Sequence, residues 1–184
     1  MRELQIITYP EPVLLKRASR VERVTPEIRV FLEEMLHAMR EDNGVGLAGP
    51  QVGVSLRIIV VEANDKVHTL INPQIIASEG SQTGAEGCLS LPRLYAEVTR
   101  ALRVTVTGTN ARGKKVTLTG EDLWARAMQH EIDHLDGVLF IDRAIPDSFH
   151  WLTSETDEEG NLTTKPTTLE EAKQFFERQA KVRA

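Results

Sequence analysis

The stretch MQHEIDHLDG, residues 128–137, constrains the fold most, because its two histidines can act together only if the chain is helical there. Residues four apart stand one turn apart on the same face of an α-helix, so His130 and His134 can bind one metal ion. The segment 120–137 has helical apolar periodicity and ends at Gly137, a residue typical of helix ends. We therefore predict a long helix over 120–137 that carries two metal ligands.

Glu131 follows the first histidine directly and would lie beside the ion. From there it can take a proton from a metal-activated water without occupying a coordination position. For two histidines alone, ordinary helix residues would be the better interpretation. The complete H-E-x-x-H pattern inside an amphipathic helix favours a metal site.

Two histidines leave a catalytic site one protein ligand short, because such sites usually have three ligands and an open position. Cys88, in AEGCLSLP (85–92), is a candidate because a thiolate binds Zn²⁺ or Fe²⁺ well. A lone cysteine is more often a small buried apolar residue. A glutamate from a later helix, as in a thermolysin-like protease, is the other alternative. The spacing alone leaves this choice open.

Composition and charge narrow the class of protein. The chain has 184 residues, enough for one domain with or without a tail, and a net charge of −5 without a basic cluster. We therefore expect no direct DNA binding. The single cysteine cannot form an intrachain disulfide, and no secretory signal or membrane-spanning run is visible. We expect a cytoplasmic protein without membrane contact.

The order of the predicted elements favours an α+β fold. Thr25 suits the N-cap of an N-terminal helix over the segment TPEIRVFLEEMLHAMRED, which carries one apolar stripe. Strand patterns follow, and 138–142 is a short strand or extended segment. The predicted strands are 57–62, 68–72, 104–108 and 114–118, the last two joined by a hairpin turn with Gly113. A helix, runs of strands and a second helix are typical of α+β rather than of alternating βαβ units.

The composition changes near Asp147 and predicts three regions. Residues 1–147 form the catalytic metallohydrolase domain, 148–167 an acidic polar linker, and 168–184 a C-terminal helix. The helix begins with a capping box made by Thr168 and Glu171.

Three segments in order, GVGLAGPQ (44–51), EGCLS (86–90) and QHEIDH (129–134), resemble the signature motifs of the peptide deformylases. These enzymes remove the N-formyl group from the initiator methionine of new bacterial polypeptides. The resemblance extends to roughly residue 143. It implies antiparallel strands packed around the metal-binding helix, and an N-formylmethionyl peptide as the substrate.

The resemblance also implies roles for individual residues. It makes Cys88, His130 and His134 the metal ligands, Glu131 the general acid/base, and the Gln51 amide and Leu89 backbone N–H the donors to the developing oxyanion. The implied native metal is Fe²⁺, although Zn²⁺, Ni²⁺ or Co²⁺ also suits a thiolate with two imidazoles. In some relatives a C-terminal helix contacts the ribosome, which makes the ribosome a candidate partner. The family's first motif more often has alanine where Gly49 stands, and the glycine is expected to loosen this loop.

Residues near the motifs suggest how a peptide would bind. The backbone at Val45 and Gly46 can pair with an extended peptide. The expected pocket walls are Val45, Leu91, Leu123, Arg126 and Ala127, although Leu123 and Ala127 are as well explained as core residues. The Arg126 stem would line the wall while its guanidinium reaches water. Asp133 is expected either to pair with Arg100 or to be solvated.

Two other functions remain open from the residues themselves. One is an H-E-x-x-H zinc endopeptidase whose third ligand lies elsewhere. The other is a non-catalytic metal- or peptide-binding module, which would need no general base.

Overall fold

The H-E-x-x-H segment is helical and packs against the larger of two antiparallel sheets. The structure, a computed structural model, describes the backbone of residues 2–183. Its helices are α1 (Pro26–Glu41), α2 (Asp122–Leu135) and α3 (Leu169–Arg183). Its strands are β1 (Gly46–Ala48), β2 (Ile58–Ala63), β3 (Lys66–Glu79), β4 (Gln82–Cys88), β5 (Leu91–Arg100), β6 (Arg103–Thr109), β7 (Lys115–Glu121), β8 (His150–Thr156) and β9 (Leu162–Pro166).

The two sheets place the site between them. The larger has the order β1-β2-β3-β6-β7 and the smaller β4-β5-β8-β9, with every neighbouring pair antiparallel. Helix α2 buries Ala125, Met128 and Ile132 against the larger sheet. In the smaller sheet, strand β4 ends at Cys88, which lies beside that helix. The predicted α+β fold with antiparallel strands around the metal-binding helix is confirmed.

Helix α1 forms as the sequence predicts. The Thr25 hydroxyl accepts a hydrogen bond from the Ile28 backbone N–H, which would otherwise lack a partner at the helix start. Its apolar stripe buries Leu32, Met35 and Met39 against the inner strands. This packing fixes the chain just before β1, the strand that enters the site.

The stretch predicted as an acidic linker, 148–167, is instead a β-hairpin. Strands β8 and β9 pair with each other, and β8 also pairs with β5. Asp157 closes the turn by accepting from the backbone N–H groups of Glu159 and Asn161, and Gly160 adopts a φ of 83°. The polar composition therefore reflects strands with one solvated face.

Other local predictions also need correction. The segment 138–142, predicted as a short strand or extended segment, is extended at Leu139 and then forms a 3₁₀ turn over Phe140–Asp142, in which the Asp142 carboxylate accepts from the Leu139 N–H. Strands β4 and β5 were not predicted, although they carry half of the site.

Helix α3 starts with the predicted capping box, in which Glu171 N–H donates to Thr168 and Thr168 N–H donates back to Glu171. It packs Ala172 and Phe176 onto the apolar cluster of the smaller sheet. Residue 184, the end of the predicted helix, lies outside the described residues. None of the helices within 2–183 is long and apolar enough to span a membrane.

Gly137 ends α2 at a close backbone contact, which yields a stability prediction. Its φ is 72°, and a Cβ added there would lie 2.8 Å from the carbonyl carbon of Leu15. Gly137→Ala should therefore lower the free energy of unfolding by roughly 2–3 kcal/mol, since left-handed strain and a backbone clash combine. Urea denaturation measures this loss.

Gly113→Ala is the matched control. Gly113 has a φ of 79°, but a Cβ there would meet nothing within 4 Å. It should cost about 1 kcal/mol from backbone strain alone. Equal losses for the two variants would contradict the proposed contact between Gly137 and the backbone of Leu15.

Candidate metal and catalytic site

Cys88, His130 and His134 meet at one point between β4 and α2. One potential ligand atom from each lies within 4.8 Å of the other two. The Cys88 Sγ lies 3.2 Å from the His134 Nε2. Ligands held at 2.0–2.3 Å from one ion in tetrahedral geometry stand roughly 3.5 Å apart. The structure thus brings together the three residues that the sequence nominated as metal ligands.

The donor set fits a divalent transition metal. A thiolate and two imidazoles suit such an ion, and both imidazoles are largely withdrawn from water. Burial lowers the pKa of His134 well below its usual value, which keeps the ring neutral as a metal ligand must be. Nearby, Glu131 Oε2 is buried without a hydrogen-bond partner among the described residues. An unpaired buried oxygen beside three ligand atoms is expected where a hydrated ion belongs.

A buried carboxylate orients His130. The His130 Nδ1 lies 2.9 Å from Glu86 Oε2, so the other ring nitrogen is left for the ion. Arg100 holds both oxygens of Glu86, at 2.8 and 2.9 Å. Burial disfavours ionisation of Glu86, but the hydrogen bonds from Arg100 and His130 outweigh it and hold its pKa well below the usual range. Glu86 is therefore a fixed anion.

Glu131 occupies a different environment one residue beyond His130. Its side chain is 3% exposed, and burial raises its pKa to about 7. Gly46 of β1 passes so close that a Cβ there would lie 2.8 Å from the Glu131 carboxyl carbon. Glycine at 46 therefore lets the carboxyl group reach the site.

Gln51 presents its amide to the metal ligands. It lies in a 3₁₀ turn over Gly49–Val52, where its Oε1 accepts from the Ala48 N–H at 2.8 Å. The Nε2 then faces the Cys88 Sγ at 3.5 Å. Gly49 is buried in this turn, and a Cβ there would lie 2.7 Å from the Leu56 carbonyl oxygen, so the glycine allows the backbone to pack closely.

A cleft of about 760 Å³ opens beside these residues. Of the residues predicted to bind substrate, Val45, Gly46, Leu123, Arg126 and Ala127 line it, and so does Leu89. Leu123 is 47% exposed, which excludes its alternative interpretation as core.

Leu91 does not line this cleft, which corrects one prediction. It is 1% exposed and packs with Leu139 and Phe140 in the apolar cluster under the smaller sheet. The exposed Pro92 lines the cleft at this point, where β5 is irregular.

The predicted position of the Arg126 guanidinium is also wrong. The guanidinium turns inward rather than to water, donating to Glu86 Oε1 at 2.7 Å and to the Val98 carbonyl at 3.0 Å. The predicted pair between Asp133 and Arg100 is present, and Arg143 also holds Asp133, at 2.6 and 2.7 Å.

Known proteins share this architecture. The family model for polypeptide deformylase matches residues 3–149. A peptide deformylase from Desulforudis audaxviator is 48% identical over 146 residues, 78% of this chain and 95% of that protein. The Thermotoga maritima peptide deformylase crystal structure has a TM-score of 0.77 and 39% identity, covering 79% of this chain and all of that one. A Synechococcus elongatus peptide deformylase in complex with actinonin has a TM-score of 0.75 and 39% identity, covering 77% of this chain and 79% of that one. The chain belongs to the polypeptide deformylase family of enzymes.

Proposed function

We propose that this enzyme removes the N-formyl group from the N-formylmethionine of nascent polypeptides and releases formate. The observation that carries the proposal is the convergence of Cys88, His130 and His134 at one point, at the edge of a cleft that Glu131 and Gln51 also line. Membership of the family adds the substrate class. Because such substrates arise where polypeptides are made, we also propose a cytoplasmic location, with the ribosome as a candidate partner.

Cys88, His130 and His134 would hold one divalent ion, with Fe²⁺ as the proposed native metal and Zn²⁺, Ni²⁺ or Co²⁺ as substitutes. When bound, that ion supplies Lewis acidity and lowers the pKa of water from 15.7 towards ~7. The cysteine completes a three-ligand set, so no glutamate from a later helix is needed. This favours the amidase over the endopeptidase.

Glu131 would move the protons of the reaction. It takes one from the attacking water and gives it to the leaving amine nitrogen when the C–N bond breaks. A group with a pKa near the working pH performs both steps well, and burial raises the pKa of Glu131 to about 7. A carboxyl group in this state suits an acid/base role better than a purely structural one.

The Gln51 amide and the Leu89 backbone N–H would stabilise the formyl oxygen as it gains negative charge. Donors held in place before the reaction lower the barrier because no rearrangement is needed as charge develops. The hydrogen bond from the Ala48 N–H to Gln51 Oε1 supports this role, since it fixes which end of the amide faces the site.

The cleft would bind the rest of the substrate. An extended peptide pairs with the strand edge at Val45 and Gly46. The methionine side chain contacts apolar surface at Leu123 and Ala127, which line the cleft on the histidine helix.

Glu131→Gln tests the proton-transfer role. With a metal content equal to that of the parent enzyme, the variant should release formate from formyl-Met-Ala-Ser about 10²–10⁴-fold more slowly, because the amide cannot accept the proton. Glu121→Gln, an exposed carboxylate just before the same helix, serves as the matched control. Unchanged turnover in metal-loaded Glu131→Gln would refute the proton-transfer role of Glu131, whereas no formate release by the metal-loaded parent enzyme would favour a non-catalytic module.

Cys88→Ala tests the ligand set. Elemental analysis of anaerobically purified protein should show loss of most of the bound metal, because the site is reduced to two protein ligands. His134→Ala should do the same, whereas the exposed His37→Ala should keep full occupancy. Full occupancy in Cys88→Ala would exclude the deformylase arrangement.

Gln51→Met tests the oxyanion role. We expect kcat for formate release to fall about 10²–10³-fold with KM nearly unchanged, because the amide acts on charge that develops during the reaction. Gln129→Met is the control, since Gln129 likewise holds a backbone N–H, that of Ala101, but lies outside the cleft. A rise in KM alone would assign Gln51 to substrate binding.

A further inference from the structure

The C-terminal hairpin lies outside the family match and packs against β5, a strand that lines the cleft. The family model ends at residue 149, and β8 begins at His150. Strand β8 pairs with β5 through Tyr95 and His150 and through the next residue pair. The rings of Tyr95 and His150 stack at 6.0 Å with an interplanar angle of 19°, and Tyr95 lines the cleft. The hairpin thus contacts Tyr95, a residue that lines the cleft, through the His150 ring.

Arg93 lies where β5 leaves its regular register. Gly87 pairs with Tyr95 but Cys88 pairs with Leu91, so residues 92–94 bulge out of the ladder. Bulges next to active sites redirect side chains. Arg93 has a φ of 67° at this bulge, is exposed and lines the cleft.

The hairpin also holds the Arg93 side chain. Its Nε donates to the Leu152 carbonyl of β8 at 2.8 Å. Among the residues whose side chains the structure describes, no carboxylate pairs with this guanidinium, and its two terminal nitrogens have no acceptor. The other arginine of the cleft, Arg126, is neutralised by Glu86. Arg93 therefore presents an unpaired positive charge with two donors in a fixed orientation.

We propose that Arg93 selects formyl-methionyl substrates that carry a carboxylate side chain at the second or third residue. This rests on the proposed deformylase function. The formyl group must reach the point where Cys88 meets the histidines, and Arg93 belongs to the bulge opposite Cys88. Peptide residues advance about 3.3 Å each, so the one or two residues after methionine come within reach of the arginine. A carboxylate there would accept charge-assisted hydrogen bonds from the two unpaired nitrogens.

The test compares peptides that differ by one charge. Formate release is measured for formyl-Met-Glu-Ala-amide against formyl-Met-Gln-Ala-amide, and for the same exchange at the third residue. Ionic strength is kept low because salt screens exposed pairs. We expect kcat/KM to favour glutamate about twofold to fivefold at one of these positions, mainly through KM. Peptides with a free C-terminal carboxylate form a separate arm, so that the terminus is distinguished from a side chain.

Variants of Arg93 separate recognition from support of the hairpin. Arg93→Gln should bring the Glu/Gln ratio to about one, Arg93→Lys should keep part of it, and Arg93→Glu should reverse it. Arg103→Ala removes an exposed charge outside the cleft and should leave the ratio unchanged. If Arg93 only stabilises the hairpin, Arg93→Gln would lower the thermal midpoint of unfolding and slow formate release from all peptides equally. That result would overturn the proposal. A ratio of one in the parent enzyme also overturns it, while absence of formate from every peptide defeats the deformylase function itself.

Discussion

The carboxylate of Glu86 accepts hydrogen bonds from Arg100 and Arg126 and holds His130 in a buried position. These partners come from β5 and α2, while Glu86 belongs to β4, so one side chain ties three elements together. Removing a partner from such a buried ion pair typically costs about 3–5 kcal/mol. Cys88 stands two residues after Glu86 on the same strand. The distance between the cysteine and the histidine helix is therefore set by charge pairing beneath the site.

Further ion pairs extend this network to the segment that follows α2. Arg100 forms salt bridges with both Asp133 and Glu86, and Arg143 forms another with Asp133. Asp133 lies between the two histidines on the helix, although its side chain faces away from the cleft. Because Arg143 follows α2, the network also fixes the chain where it leaves the helix. The orientation of the His130 imidazole thus depends on Glu86 and, through Arg100, on Asp133 and Arg143.

The sequence predicted what is local or carried by a motif. His130 and His134 are four apart, so helical periodicity alone brings them together. The position of Leu91 depended on the register between β4 and β5, and a bulge that no residue pattern reveals turned other side chains to the cleft. Arg126 was misread because its partner lies 40 residues away. The hairpin of β8 and β9 was not predicted because most residues of its strands are partly or fully exposed. Their sequence is therefore polar, like that of a linker.

The site holds two carboxyl groups whose environments drive their pKa values apart, and this difference supports the roles proposed for them. Glu86 is surrounded by cationic donors, which keep it ionised and available to orient a ligand. Glu131 has no cation within hydrogen-bonding distance among the described residues, so burial raises its pKa to about 7. A carboxyl group that loses and regains a proton near neutral pH suits proton transfer, whereas a permanent anion does not. The two carboxyl groups therefore differ because the charges around each of them differ, and Gly46 leaves the space that the Glu131 carboxyl group occupies.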